Sequence, residues 1–99
     1  MSASPFRCWV VGSDTLLMEC TDHLRSAGHE VLGVVTDAPR IAAWASQRGL
    51  AVVDPAAGFV DALAERPFDH LFAITWLNIL PDEVLAQPRG RAINFHDGP

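Results

Sequence analysis

The sequence predicts an α/β domain built as an open parallel sheet of about five strands, with helices on both faces. Five short apolar runs alternate with segments of helical periodicity, and a helix or a turn follows each run. The run Cys8-Trp9-Val10-Val11 is apolar throughout, which is typical of a parallel strand buried on both faces. Because crossovers between parallel strands are right-handed, this alternation gives a Rossmann-like sheet.

The predicted strands are the apolar runs at 8–11, 31–36, 50–53, 70–75 and 92–96. No internal repeat, low-complexity tract or linker interrupts the chain, so residues 1–99 are expected to form a single domain. A chain of 99 residues is large enough to bury a modest core and too short for two domains.

Two helices are predicted in the first half of the chain. Ser13 or Asp14 is a candidate N-cap for the first, and Gly28 is its expected C′ residue. Pro39 begins the second helix and Gly49 ends it. The inner face of the first helix is expected to include Leu17, Cys20 and Leu24.

Two weaker helices follow in the second half. Asp54-Pro55 is expected to open one that runs through Phe59 and Leu63 and stops before Pro67. Pro81 precedes the other, a short stretch at 82–85.

The composition excludes some classes of function. Hydrophobic residues make up 49% of the chain and charged residues 19%, which is ordinary for a globular protein. The net charge is -5, and seven scattered arginines with no lysine form no basic stripe. Nucleic-acid binding by this segment is therefore not expected.

The cysteines and the N-terminus point to the cytoplasm. Cys8 and Cys20 are too few for a disulfide scaffold and are expected to be reduced and buried. No CxxC or HxH pair suggests a metal site. The N-terminal residues do not show the basic region followed by a long apolar stretch that is typical of a signal peptide. No apolar run approaches the roughly 20 residues that a membrane-spanning helix needs.

Three predicted loops leave the carboxyl ends of strands, where open α/β sheets bind their ligands. These loops are at 12–14, 75–78 and 94–97. The first lacks both GxGxxG and the GxxxxGK[ST] phosphate cradle, so it supports neither a dinucleotide nor an NTP site. Without those glycines, Asp37 after the second strand is expected to be a helix cap and not a ribose-binding acid.

The pattern of greatest chemical interest is Asn94-Phe95-His96. Alternation along a strand puts Asn94 and His96 on one face and Phe95 on the other. An amide donor beside an imidazole suits acyl transfer, which needs a donor for the developing oxyanion and a group that moves a proton. A structural histidine at a strand end is the alternative. The other histidines have simpler expected roles, with His23 and His29 facing solvent and His70 at a strand boundary.

A second unusual segment is the apolar stretch 75–81, which leaves a strand without becoming a long helix. Two interpretations are open. The stretch is either a plug beneath the sheet edge, or a pocket wall that offers backbone groups to a flat heteroaromatic ligand.

Taken together, these residues resemble the folate-dependent formyltransferases, such as methionyl-tRNA and glycinamide ribonucleotide formyltransferases and the formylating domains of sugar-modifying and peptide-synthetase enzymes. The likeness rests on Ile93-Asn94-Phe95-His96 before a Gly/Pro loop, and on a Gly-containing first turn. It extends to Phe68-Asp69 before the fourth strand. The segment 76–85, WLNILPDEVL, is similar to the family pattern Y-G-x-I-L-P-x-x-V-L.

The resemblance covers nearly the whole chain and implies the N-terminal part of such a catalytic domain. It implies formyl transfer from 10-formyltetrahydrofolate to an amine, which is a small molecule or is carried on a biosynthetic assembly line. Asn94 would hold the formyl oxygen as it becomes an oxyanion, and His96 would assist proton movement. Gly12 and Ser13 would lie on the acceptor side. The pteridine pocket would be lined by Trp76, Leu77, Asn78, Ile79 and Leu80.

The chain departs from the family in two respects. Asp97-Gly98-Pro99 replaces the usual loop after the histidine, and the family's third catalytic residue, a more distant Asp, is absent. The 99 residues alone are therefore expected to be inactive, and the fifth strand is expected to be an exposed edge through which two copies could pair. Two alternatives stay open: a non-catalytic Rossmann-like binding module, and a hydrolase that releases formate from the same folate.

Overall fold

The computed structural model describes residues 4–57, 59–74 and 80–95. Its strands and helices alternate along the chain, as the sequence predicts. The strands are β1 (Arg7–Val11), β2 (Glu30–Val35), β3 (Ala51–Val53), β4 (His70–Ile74) and β5 (Arg91–Phe95). The helices are α1 (Thr15–Ser26), α2 (Pro39–Gln47), α3 (Phe59–Ala64) and α4 (Asp82–Leu85).

The five strands form one sheet in the order β3-β2-β1-β4-β5. Each neighbouring pair is parallel, which confirms the predicted fold class. In the part of the sheet that the structure describes, β3 and β5 are the edge strands. The register of β1 against β2 shifts between Cys8 and Trp9.

One face of the sheet is covered by α1 and α2. Leu17 of α1 and Ile41 and Ala45 of α2 are buried against alternate residues of the strands, among them Val10 and Val34. Cys20 and Leu24 are only partly buried at the margin of this core, while Thr21 is the second fully buried residue of α1. Its hydroxyl donates to the Leu17 carbonyl at 2.7 Å, so its burial leaves no unpaired donor.

The other face is covered by α3 and α4. Phe59, Leu63 and Val84 pack there with the alternate strand residues, which include Trp9 and Val11. The sheet therefore lies between two helical layers, and the central strands β1, β2 and β4 contribute side chains to both cores.

The predicted N-cap of α1 and the predicted glycines at the ends of α1 and α2 are confirmed. The Asp14 carboxylate accepts a hydrogen bond from the Leu16 N–H at 3.1 Å, which satisfies a free donor of the first turn of α1. Gly28 and Gly49 follow the C-caps of α1 and α2 with φ values of 93° and 75°. That left-handed conformation strains residues with a Cβ, which explains glycine at both places.

The start of the third helix was predicted too early. Asp54 accepts the Ala56 N–H on its side chain at 2.9 Å and the Ala57 N–H on its carbonyl at 3.0 Å, which forms a turn and not a helix. The helix itself begins at Phe59. An Asp-Pro pair is compatible with either structure, so the sequence alone did not separate them. Among the described residues, no helix is long and apolar enough to cross a membrane.

Candidate functional site

The candidate site lies at the carboxyl ends of β1 and β4. From β1 the chain crosses over to β2 on one side, and β4 joins β1 on the other, so the strand order reverses between β1 and β4. The helix that follows β1, α1, packs on one face of the sheet, whereas α4, the helix that follows β4, packs on the other. In open α/β sheets, such a reversal of strand order marks the crevice where ligands bind.

Gly12 lies directly after β1 at this edge of the sheet, against the end of β4. A Cβ at Gly12 would lie 2.7 Å from the Ile74 carbonyl oxygen and 3.1 Å from Leu17 Cδ1, so only glycine allows this approach of the two backbones. The Gly12 N–H donates to the Val35 carbonyl at 3.0 Å. This donor is therefore used within the sheet, and a ligand at this loop would find its polar contacts at Ser13.

Ser13 is exposed at the mouth of the crevice and contacts the next loop of the sheet. Its hydroxyl donates a hydrogen bond to the carboxylate of Asp37, which follows β2. Once this proton is committed, the Ser13 oxygen presents lone pairs outward. Ser13 and Asp37 thus form a surface that accepts hydrogen bonds.

The prediction that Asp37 caps a helix was wrong. Ala38 is the N-cap of α2, with no side-chain cap bond, and the Thr36 hydroxyl accepts the Ala38 N–H at 3.1 Å. Thr36 is buried, and its own N–H donates to the Val53 carbonyl at 3.0 Å. Thr36 therefore turns the chain into α2 and leaves the Asp37 carboxylate for Ser13.

Asn94 is brought to the same edge of the sheet by the pairing of β5 with β4. It is in register with Ala73, which is in register with Val11, the residue before Gly12. Its side chain is exposed and lies on the α3/α4 side, because Ala73 and Val11 belong to that core. At about 4.8 Å per strand, Asn94 is about 10 Å from the first loop across the sheet.

Five predicted site residues fall outside the part of the chain that the structure describes. They are His96 and the pocket residues Trp76, Leu77, Asn78 and Ile79. Leu80 is described: it is half-buried and packs against the core beneath α3 and α4.

Sequence reasoning missed Arg40, which reaches from α2 to the first turn of α1. Its guanidinium donates to the Thr15 hydroxyl at 3.0 Å and contacts the Met18 sulfur at 4.0 Å. The two residues of each contact are more than 20 positions apart in the chain, so no local sequence pattern predicts these contacts.

A separate apolar groove of about 450 Å³ lies between α1 and β4, on the face opposite Asn94. It is lined by Glu19, Cys20, His23, Leu24, Phe72 and Ile74. In the described ranges, no group of three or more His, Cys, Asp or Glu side chains is arranged to hold a metal ion.

The fold and this edge define the class of the protein, an open α/β domain with a Rossmann-like parallel sheet. Comparison of the sequence with protein-family models and with curated proteins gave no match.

Proposed function

We propose that this domain contributes to formyl transfer from 10-formyltetrahydrofolate to an amine. The observation that carries the proposal is the position of Asn94, an exposed amide at the carboxyl end of β5 and in register with the strands that end at the crevice. The resemblance of the sequence around Asn94 and His96 to the formyltransferases supports the same reaction.

The chemistry needs few groups from the protein. A neutral amine attacks the formyl carbon, a C–N bond forms, the bond from that carbon to folate N10 breaks, and the amine proton passes to the departing nitrogen. The negative charge that develops on the formyl oxygen calls for a fixed donor, and the Asn94 amide is suited to supply it. His96 is the proposed group for proton movement.

The remaining assignments follow from the resemblance. The segment 76–80 would line the pteridine pocket, and the loop at Gly12 and Ser13 would face the acceptor amine. The hydrogen-bond-accepting surface of Ser13 and Asp37 supports this orientation, because an amine or hydroxyl group of an acceptor brings donors to it.

The first experiment measures donor binding and turnover separately on the full-length protein. Binding of 5-formyltetrahydrofolate, which does not donate its formyl group directly, is measured by calorimetry. Consumption of 10-formyltetrahydrofolate is then followed with a panel of amines, and the products are separated into formylated amine and formate. Formylated amine supports a transferase, whereas formate alone indicates the hydrolase.

The Asn94→Ala variant tests the role of the amide. Loss of one oxyanion donor is expected to lower kcat about 100-fold or more, with little change in binding of the folate probe. Gln47→Ala, which removes an exposed amide on α2, is the matched control and should keep normal turnover. Absence of folate binding, or equal kcat in Asn94→Ala and the parent protein, would refute the proposal.

A further inference from the structure

The amino end of the sheet, opposite the crevice, contains an aromatic group with two histidines. Phe6 stacks on His29 with the ring centroids 3.7 Å apart and meets the edge of His70 at 4.7 Å. Phe72 borders the same group, with centroids 5.9 Å from Phe6 and 6.1 Å from His70. We call these four residues the amino-end cluster.

In this cluster, His70 contacts the first residue of β5. Its Nδ1 accepts a hydrogen bond from the Arg91 N–H at 3.2 Å, and the two residues are also register partners in the sheet. Gly90 allows the imidazole to approach, because a Cβ there would lie 2.4 Å from His70 Cε1 and 2.7 Å from Nδ1. The ring is thus held against the backbone at the point where β5 begins.

His29 makes a similar contact at the other end of the cluster. Its Nδ1 accepts the Phe6 N–H at 3.3 Å, just before β1 begins at Arg7. An imidazole nitrogen accepts a hydrogen bond only when it carries no proton, so both contacts require Nδ1 to be unprotonated. Protonation converts each acceptor into a donor that faces another donor.

We propose that His70 is a pH-responsive positioning residue, whose neutral imidazole anchors the start of β5 and whose protonation releases it. The effect is directed at β5, because this strand pairs only with β4 in the described sheet. The Arg91 N–H also lies 3.2 Å from the Asp69 carbonyl, so protonation removes one of two acceptors. The anchored strand carries Asn94, but the inference does not depend on a catalytic role for Asn94.

The charged groups around the cluster come from several elements. Asp69 precedes β4, Arg7 of β1 pairs with Glu30 of β2 at 3.2 Å, and Arg89 pairs with Asp69 at 2.9 Å before β5. The Arg7 N–H and then Arg89 hold the pKa of Asp69 below its ordinary value. Asp69 is therefore ionised between pH 5.5 and 8, and histidine is the side chain that changes charge in this interval.

The test is NMR on the full-length protein. Ring ¹⁵N shifts at pH 8 should show Nδ1 of His70 unprotonated. After correction for intrinsic exchange, the Arg91 amide should exchange about tenfold faster at pH 5.5 than at pH 8, which corresponds to the loss of one hydrogen bond. Amides of β2, in the centre of the sheet, should change much less.

Three substitutions separate this effect from a purely structural role. His70→Asn places a non-titrating oxygen acceptor near the position of Nδ1, so Arg91 exchange should lose its pH dependence. His23→Asn, at an exposed position on α1, should leave that dependence unchanged. His29→Asn should retain the effect at Arg91 while altering the Phe6 amide.

The wild-type measurement alone decides the proposal if a variant fails to fold. A proton on Nδ1 of His70 at pH 8, or corrected Arg91 exchange that is equal at pH 5.5 and 8, would overturn it. The same pH dependence in His70→Asn as in the wild-type protein would also overturn it.

Discussion

The hydroxyl of Ser13 donates a hydrogen bond to the carboxylate of Asp37, which joins the loops that follow β1 and β2. These residues are 24 positions apart in the sequence. The contact gives Asp37 a partner at the candidate site, whereas the Thr36 hydroxyl accepts the N–H of Ala38, the N-cap residue of α2. The two neighbouring polar residues therefore have different consequences for stability.

Replacement of Thr36 by Val is expected to lower the free energy of unfolding by about 1 kcal/mol, because the buried side chain keeps its shape but loses the acceptor for Ala38. Asp37→Asn, at an exposed position, should change it by no more than about 0.5 kcal/mol. Thr21→Val is the control for a buried threonine whose hydroxyl only bonds a carbonyl of its own helix. Urea denaturation of the variants measures these changes in the free energy of unfolding. A larger loss of stability in Asp37→Asn than in Thr36→Val would contradict the prediction.

Gly12→Ala is expected to destabilise the fold by about 2 kcal/mol. The new methyl group would lie 2.7 Å from the Ile74 carbonyl oxygen, and neither group can move away without a shift of its backbone. Gly28→Ala is the comparison. At Gly28 no atom lies within 4 Å of the added carbon, and only the φ of 93° is unfavourable for alanine. The loss of stability should therefore be about 1 kcal/mol. Chemical denaturation that shows Gly12→Ala to be the milder change would disprove the close approach of β1 and β4.

Local chemistry explains how much of the fold could be predicted. Asp14, Gly28 and Pro39 act within one turn of chain, where a cap or a fixed φ is visible in the sequence, and the predicted boundaries at these residues are confirmed. The pairing order β3-β2-β1-β4-β5 follows from long-range packing. The alternation of elements restricts that order to a few topologies without specifying one.

The same limit applies to the candidate site, where local patterns were predictable and contacts between distant residues were not. The position of Asn94 near the end of β5 follows from strand alternation, whereas its register with Ala73 and Val11 depends on pairing across the sheet. His29 shows the limit clearly. It was expected to face solvent, but it is half-buried beneath Phe6, a residue 23 positions away that no periodicity connects to it.

Asp69 is expected to make stability depend on acid. Its carboxylate accepts the Arg7 N–H at 2.9 Å and pairs with Arg89, and these contacts lower its pKa. Since the folded pKa is depressed, the stabilisation is present above the unfolded value, about 3.9, and is lost as pH falls through the folded value. The advantage of the wild-type protein over Asp69→Asn should therefore shrink below about pH 4.

Urea denaturation at a series of pH values between 7 and 2.5 measures this difference. Glu65→Gln removes an exposed carboxylate and serves as the control for the general effect of losing a negative charge. An advantage over Asp69→Asn that stays constant down to pH 2.5 would show that the charge of Asp69 is not what the two contacts recognise.

Cys8 is expected to resist thiol reagents until the protein unfolds. The side chain is fully buried in β1, and burial, with a smaller contribution from Asp69, raises its pKa to about 12. At pH 8 only about one thiol in ten thousand would be ionised, and the thiolate is the reactive form. Cys20 is partly exposed on α1, and its pKa is raised by burial and then by Glu19, so it should react slowly but first.

The Cys20→Ser variant isolates Cys8 for this measurement. Its labelling by iodoacetamide at pH 8 should be slow in buffer and should accelerate with urea in proportion to the unfolded fraction, because unfolding returns the thiol to its ordinary pKa. Labelling of Cys8 in native buffer at the rate of a small thiol would mean that β1 opens without global unfolding. Since β1 is the central strand and pairs with both β2 and β4, such opening would also separate the strands that end at the candidate site.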